Sequence, residues 1–443
     1  MRFRRSEGLT QSEKVLAELC DHSFLKLWTY PNLFKKPAKE LTDLLVVFGS
    51  DILLFSDKSC GYPDTGNPTL DWSRWYRKSI SDSAHQIDQA ERWLRSYPDR
   101  VYLDAKCTTP LPITLPSCAD TRVHRICVAL GAGERVRIDT GKRGLTVNPS
   151  VQNDAVPFTV GKTDRARGWV HVFNEESLAI VLRELSTISD FVHYLNSKTA
   201  LFDRSQLILA ESELDLMAYY LWNGRVFPPT DRPFRLDPNL WSKVEADPSF
   251  LRGRLENQVS YFWDNLIEYI TRHYLEETLE FGNEMKMADH ELLVRIMAGE
   301  TRFFRRVLTN NILERAEAAR THAIGSLLES GQPDVNYVLY IGRGDGGNDH
   351  AAYRADRASH LQARCIAAKA LKPEKRYIIG IGLDARGVKG SSEDFVLIDT
   401  KDWPPEAVKK AEKLRQELGY FLPGKAIETR LRVDEYPDST APV

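Results

Sequence analysis

Residues 43–58 read DLLVVFGSDILLFSDK, and this stretch decides the fold. Two apolar runs, 44–48 and 52–55, flank Gly49-Ser50. Short runs of Val, Leu, Ile and Phe broken by a Gly-led dipeptide predict two antiparallel strands joined by a tight turn. With the turn at Gly49-Ser50, Phe48 faces Asp51 and Asp43 falls opposite Ser56 on the same sheet face. Lys58, two residues further on, shares that face, while Asp57 points to the other unless the strand bulges. A carboxylate and an ammonium group are thereby brought to the open end of an apolar hairpin. At its plainest this is a cross-strand surface ion pair, which contributes about 0–1 kcal/mol.

Working outward, residues 10–28 have apolar residues Val15, Leu16, Leu19 and Cys20 at helical spacing, with Ser12 placed to cap the start. Residues 72–96 predict a second helix. Short strands are expected at 100–104, 122–130 and 168–173, and a loop over 139–166. Helices follow from 175 to about 222 and over 240–330. Beyond Ser-Gly-Gln-Pro at 330–333 the pattern changes to strand, helix, strand, strand, helix. These readings give a mixed α/β, multidomain chain: residues 1–175, a mainly helical domain at 176–332, and a small α/β domain at 333–443.

Composition narrows the function classes. Of 443 residues 28% are charged and 42% hydrophobic, and the formal net charge is −2, which excludes a disordered chain and binding to nucleic acid by bulk charge. The start MRFRRSEGLTQSEK has no apolar signal region, and no run of roughly 18 apolar residues exists to span a membrane. Six cysteines, Cys20, Cys60, Cys107, Cys118, Cys127 and Cys365, form no C-x-x-C pair. They suit reduced thiols in a cytoplasmic protein better than a disulfide frame or a zinc site.

The hairpin and its flanks resemble the PD-(D/E)xK nuclease superfamily, the restriction-endonuclease-like fold also found in Holliday-junction resolvases. The resemblance covers about residues 10–130. Ser12-Glu13-Lys14-Val15-Leu16-Ala17 resembles the helix that carries a first acid. Glu40 to Val47 resembles the first strand, and Phe55-Ser56-Asp57-Lys58 the second. The helix with Lys78, Gln86 and Gln89 resembles the one that adds basic or amide groups. What this implies is Mg²⁺-dependent hydrolysis of nucleic acid, DNA ahead of RNA, with Mn²⁺ able to substitute. Asp43, Asp57 and Glu13 would hold the metal and Lys58 would orient or activate the attacking water. Gln86 or Lys78 would hold a neighbouring phosphate. By analogy, the size suits anti-phage defence or restriction, with a homodimer or partner subunit where both strands are cut. The departure is Ser56, which stands where the family has its second acid; Asp57 next to it, Glu40 or Asp51 are the possible replacements. The competing reading is a catalytically weakened protein of the same fold that binds nucleic acid or a partner.

Other motifs carry less. WSRWYRKS at 72–79 interleaves aromatics with Arg74, Arg77 and Lys78. This suits either a single-strand grip or, as the simpler account, a helix with Trp72, Trp75 and Tyr76 in the core. Arg302, Arg305, Arg306, Arg315 and Arg320 lie along one predicted helix, read as a solvated face partly paired with Glu314 and Glu317. Gly342, Gly344 and Gly347 match G-x-G-x-x-G, but the acids that follow disfavour a phosphate cradle, so the segment reads as loop. Arg354, Arg357, Arg364, Ser392, Glu393 and Asp394 read as internal ionic glue. His124 reads as a satisfied strand histidine.

Overall fold

The computed structural model describes residues 3–117, 119–164, 166–344, 349–388, 392–429 and 433–437. Two compact units form, Met1–Leu251 with Glu268–Glu291, and Arg252–Ile267 with Leu292–Val443. The residues expected as a helical middle, 176–332, fall in both.

The first unit begins α1 (Gln11–Phe24), β1 (Thr29–Lys36), β2 (Lys39–Phe48), β3 (Asp51–Ser59) and α2 (Pro68–Tyr76). A π-helical turn (Arg77–Ser81) leads into α3 (Asp82–Ser96), β4 (Arg122–Leu130), α4 (Gly133–Thr140), β5 (Thr146–Gln152), β6 (Thr159–Lys162) and β7 (Val170–Phe173). Then come α5 (Glu175–Glu184), α6 (Ile188–Asp203), β8 (Leu207–Leu209), α7 (Glu213–Trp222) and β9 (Phe234–Arg235). The main sheet has the order β1-β2-β3-β4-β7. Strands β1, β2 and β3 form an antiparallel meander, and β4 and β7 join in parallel. A parallel partner requires a crossover, which α2 and α3 supply. Leu44, Leu45, Val46, Leu53, Leu54 and Phe55 are all fully buried, as strands covered on both faces demand. Helix α1 packs on β1, β2 and β3, and α3 packs on β2, β3 and β4.

The hairpin register is the expected one. Phe48 pairs with Asp51, and the ladder runs to Leu44 with Phe55. Gly49 takes φ +59°, the left-handed conformation such a turn requires of its first residue. Several local expectations change. Helix α1 is capped by Thr10, not Ser12: the Thr10 hydroxyl accepts from the Glu13 amide, and the Glu13 carboxylate returns to the Thr10 amide in a capping box. Residues 100–104 form no strand; Tyr102 only bridges Phe34 and Pro110. The segment read as loop over 139–166 begins at the end of α4 and holds β5 and β6, the two strands pairing with each other. Its polar sequence hides strands whose partner is local.

The chain continues through α8 (Leu240–Glu245), α9 (Pro248–Glu256), α10 (Tyr261–Glu276), α11 (Met287–Ala298) and α12 (Arg302–Ala318). The second unit then builds β10 (Ile324–Glu329), β11 (Val335–Gly342), α13 (His350–Leu371), β12 (Tyr377–Asp384), β13 (Asp394–Asp399) and α14 (Pro405–Leu418). Strand β10 was expected as helix. It forms the antiparallel edge of a sheet ordered β10-β11-β12-β13, in which β11 and β12 are parallel. Leu361 and Cys365 of α13 pack on Val338 and Ile378.

The arginines of α12 are not a solvated face. Arg302 and Arg305 are buried and clamp Asp264, and Arg305 also holds the Glu300 carbonyl. Arg306 is buried against the Asp434 and Glu435 carbonyls. The expected pairings survive at the end of the helix, Arg315 with Glu314 at 4.0 Å and Arg320 with Glu317 at 2.8 Å. Arg357 acts as glue, bonded to Asp394, Asp384 and Ser392. Of the glycine motif, Gly347 lies outside the described residues. Cys20, Cys60, Cys107, Cys127 and Cys365 are free thiols; Cys118 lies outside the described residues. Among the described residues no helix is long and apolar enough to cross a membrane.

Candidate active site

Beyond the Leu44–Phe55 pair, side chains take over from the β2–β3 ladder. Thr42 donates its hydroxyl to the Phe55 carbonyl at 2.8 Å, and the Asp43 carboxylate accepts the Asp57 backbone N–H at 2.6 Å. Asp43 thereby bridges the open end of the hairpin. No bulge intervenes in β3, since its pairing with β4 runs unbroken through Asp57–Val128, Lys58–Ala129 and Ser59–Leu130. Asp57 and Ser56 therefore point to opposite faces.

Asp57 is buried, and among the described residues neither carboxylate oxygen has a hydrogen-bond partner of ordinary geometry. Burial pushes its pKa above the ordinary carboxylate range, making it a weaker acid. The Ser12 hydroxyl opposes this, and the negative charges of Asp43 and Glu13 add to it. Asp43 is raised as well, again by burial first, against the Asp57 N–H and Lys58 that favour its charge. Glu40 follows the same pattern: burial raises it, Asn32 opposes, and Asp43 and Glu13 reinforce the rise. Glu13 is the exception. Burial would raise it, but hydrogen bonds from Asn32 and the first turn of α1 together hold it below its usual value. Its Oε2 takes all of them, from the Leu9 and Thr10 amides and Asn32 Nδ2 at 2.9–3.1 Å. That leaves Oε1 without a hydrogen-bond partner among the described residues. Lys58 feels Asp43, Asp57 and Glu40 but forms no ion pair among the described residues, so the simple cross-strand ion pair is absent.

On the other face, the Ser56 hydroxyl donates to Ser83 Oγ and Gln86 Oε1, each at 3.2 Å. Ser83 in turn donates to the Ser79 carbonyl within the π-helical turn, as does the Cys127 thiol. Burial pushes Cys127 up to about 12, so it is a neutral thiol and not a nucleophile. The carboxamide of Gln86 thus uses its oxygen on Ser56, leaving its NH₂ free of partners among the described residues.

Of the residues expected here, the structure links Asp43, Asp57, Glu13 and Lys58 electrostatically and joins Gln86 to Ser56. Arg74, Arg77 and Lys78 are exposed on α2 and the π-helical turn, while Trp72, Trp75 and Tyr76 are core. Asp51 does not reach the site. It closes the turn end of the hairpin, held by Arg122 at 2.6 Å and His124 at 2.9 Å. Asn32 was not foreseen. It is buried with φ +51°, and its amide donates to both Glu13 and Glu40 at 2.9 Å. Asn adopts this backbone conformation more readily than most residues, but its sequence neighbours, Pro31 and Leu33, give no sign of it.

The residues fit a divalent cation at one point: a buried carboxylate short of donors among the described residues is a group that a cation would satisfy. Among the described residues no three His, Cys, Asp or Glu side chains gather closely enough to hold a metal on their own. Asp43 and Asp57 would thus share the ion with waters, which Mg²⁺ commonly retains. Comparison with family models, with curated proteins and with solved structures gives no match.

Proposed function

We propose that the first unit hydrolyses phosphodiester bonds of nucleic acid, DNA ahead of RNA, with Mg²⁺ or Mn²⁺ as cofactor. The observation that carries this reading is Asp57: a buried carboxylate that, among the described residues, has the Ser12 hydroxyl near it but no hydrogen bond of ordinary geometry, coupled to Asp43 and Glu13 and one residue from a lysine that forms no ion pair there. The strand–turn–strand between α1 and α3, on which the sequence resemblance rests, supports it. Asp43 and Asp57 would hold the cation, with Glu13 Oε1 as a further donor. When bound, the cation polarises the phosphate and lowers the pKa of a coordinated water.

The chain's own groups do the rest. Lys58 orients the attacking water and offsets negative charge as it builds on the phosphoryl oxygens. Asn32 fixes Glu13 and Glu40 so that the acids do not collapse onto the lysine. The free NH₂ of Gln86 contacts the adjacent phosphate. Arg74, Arg77 and Lys78 supply backbone contacts that hold the polymer. Cytoplasmic action in defence or restriction, and pairing of two copies to cut both strands, extend this reading.

Ser56 favours a second reading. A hydroxyl held by Ser83 and Gln86 occupies the second acid's place, which suits a weakened fold that binds without cutting. One gel assay separates the two. Wild type, Asp43→Ala and Lys58→Ala are incubated with supercoiled plasmid, linear duplex, single-stranded DNA and RNA, each with Mg²⁺, Mn²⁺ or EDTA. Metal-dependent cutting lost in both variants supports the nuclease. Binding with no cutting on any substrate supports the second reading.

A further inference from the structure

Away from the acids, the tip of the β1–β2 hairpin and the end of α3 build a surface no other part of the account uses. Trp93 and Tyr97 lie together, ring centroids 4.7 Å apart, and Tyr97 is 44% exposed. The Lys36 ammonium sits 5.4 Å from the Trp93 ring centre, and the Arg100 guanidinium 5.3 Å from that of Tyr97. The Trp93 indole N–H donates to the Arg100 carbonyl at 2.9 Å, which ties the ring to the segment carrying the second cation. That segment lies along β1 through paired bonds between Phe34 and Tyr102.

Lys35 and Lys39 complete the patch. Burial, then repulsion from Lys36 and Lys39, lowers the Lys35 ammonium below its usual range. Among the described residues none of these three lysines forms an ion pair or a side-chain hydrogen bond. Nearby acids are occupied or solvated. Asp104 accepts from the Lys106, Thr108 and Thr109 amides, Glu40 is held by Asn32, and Asp99 is exposed. Unneutralised cations beside half-exposed aromatic rings form the chemistry that grips a single strand: phosphates take the charges and bases take the ring faces. In the free protein, the cations rest on those faces at long range, and an incoming base and its phosphate would replace both contacts.

We infer that this patch binds single-stranded DNA and leads it to the site. Lys39 precedes Asp43 by four residues on β2, about 13 Å along the strand. The substrate class rests on the nuclease reading; the binding does not. The test is anisotropy of labelled oligothymidylate, a duplex of equal length and oligouridylate, in EDTA, using Asp43→Asn so that no cleavage intervenes. Expected is oligothymidylate binding about tenfold tighter than duplex, with RNA no tighter. Trp93→Ala should weaken it about tenfold. Lys36→Glu with Lys39→Glu, at two exposed positions, should weaken it at least as much and reduce its salt dependence. No binding, equal duplex binding, tighter RNA binding, or unchanged affinity in the lysine double variant would overturn the inference. Cleavage of duplex by wild type alongside such a failure leaves the nuclease standing; intact binding without cleavage removes the nuclease alone.

Discussion

Two clusters of the same residue types behave in opposite ways. In the second unit, Arg357 is wholly buried between Asp384 and Asp394, and every carboxylate oxygen there has a donor. Asp384 takes Tyr353 and Arg357 on one oxygen, and the Ser392 amide and hydroxyl on the other. Asp394 takes Arg354 and Arg357. In the first unit, among the described residues, Asp57 has no hydrogen bond of ordinary geometry, only the nearby Ser12 hydroxyl, Asp43 has the Asp57 N–H with the Ser56 hydroxyl close by, and Lys58 forms no ion pair. The first arrangement is closed and has nothing to offer a ligand. The second keeps uncompensated charge in a buried place, a cost that folding alone gives no reason to keep. The closed network is glue, and the open one is where the proposed function is placed.

The sharpest way to break this contrast is to neutralise each cluster. Asp57→Asn should cut metal-dependent cleavage about 10³-fold. It should also leave the melting temperature equal or higher, because an uncompensated charge is removed. Arg357→Ala should do the reverse in kind, destabilising its unit by about 3–5 kcal/mol in denaturant unfolding, because two carboxylates are left buried without a cation. A destabilised Asp57→Asn or a neutral Arg357→Ala would erase the distinction.

Smaller effects sharpen it. Lys58→Ala should lower cleavage about 10²-fold while stability stays within about 0.5 kcal/mol, measured by single-turnover kinetics and thermal melts. Ser56→Glu places a carboxylate against Ser83 and Gln86. It should cost about 1–3 kcal/mol of stability and tighten Mn²⁺ binding roughly tenfold.

The smallest effect is in pH. Burial holds Asp43, Asp57 and Glu40 above the ordinary carboxylate range. Between the unfolded values, about 4, and the raised ones, the folded chain holds more protons than the unfolded chain. Their contribution to stability is therefore complete below about pH 4 and is lost as pH rises through the raised values. A cation replaces those protons, so stabilisation by Mg²⁺ in thermal melts should be largest near neutral pH and fade toward pH 4. Asp57→Asn should flatten that dependence.

How much of this was legible in the sequence follows from what local pattern encodes. The hairpin and its register were, because Gly49-Ser50 sits between two apolar runs of fixed period. The direction of Asp57 was too, since alternation needs only an unbroken strand. Asn32 was not, because its role comes from a backbone conformation and from two acids distant in sequence. The α12 arginines were misread because their shared partner, Asp264, lies about forty residues away. The Lys36–Trp93 patch was invisible for the same reason: its members come from two stretches, 35–39 and 93–100, that lie far apart in the sequence.

The most direct test of the central claim is calorimetric titration of Mn²⁺ into wild type and Asp57→Asn at neutral pH. Binding by the wild type and its loss in the variant are expected, with both proteins folded. Identical binding in the two, or none in the wild type, would contradict it.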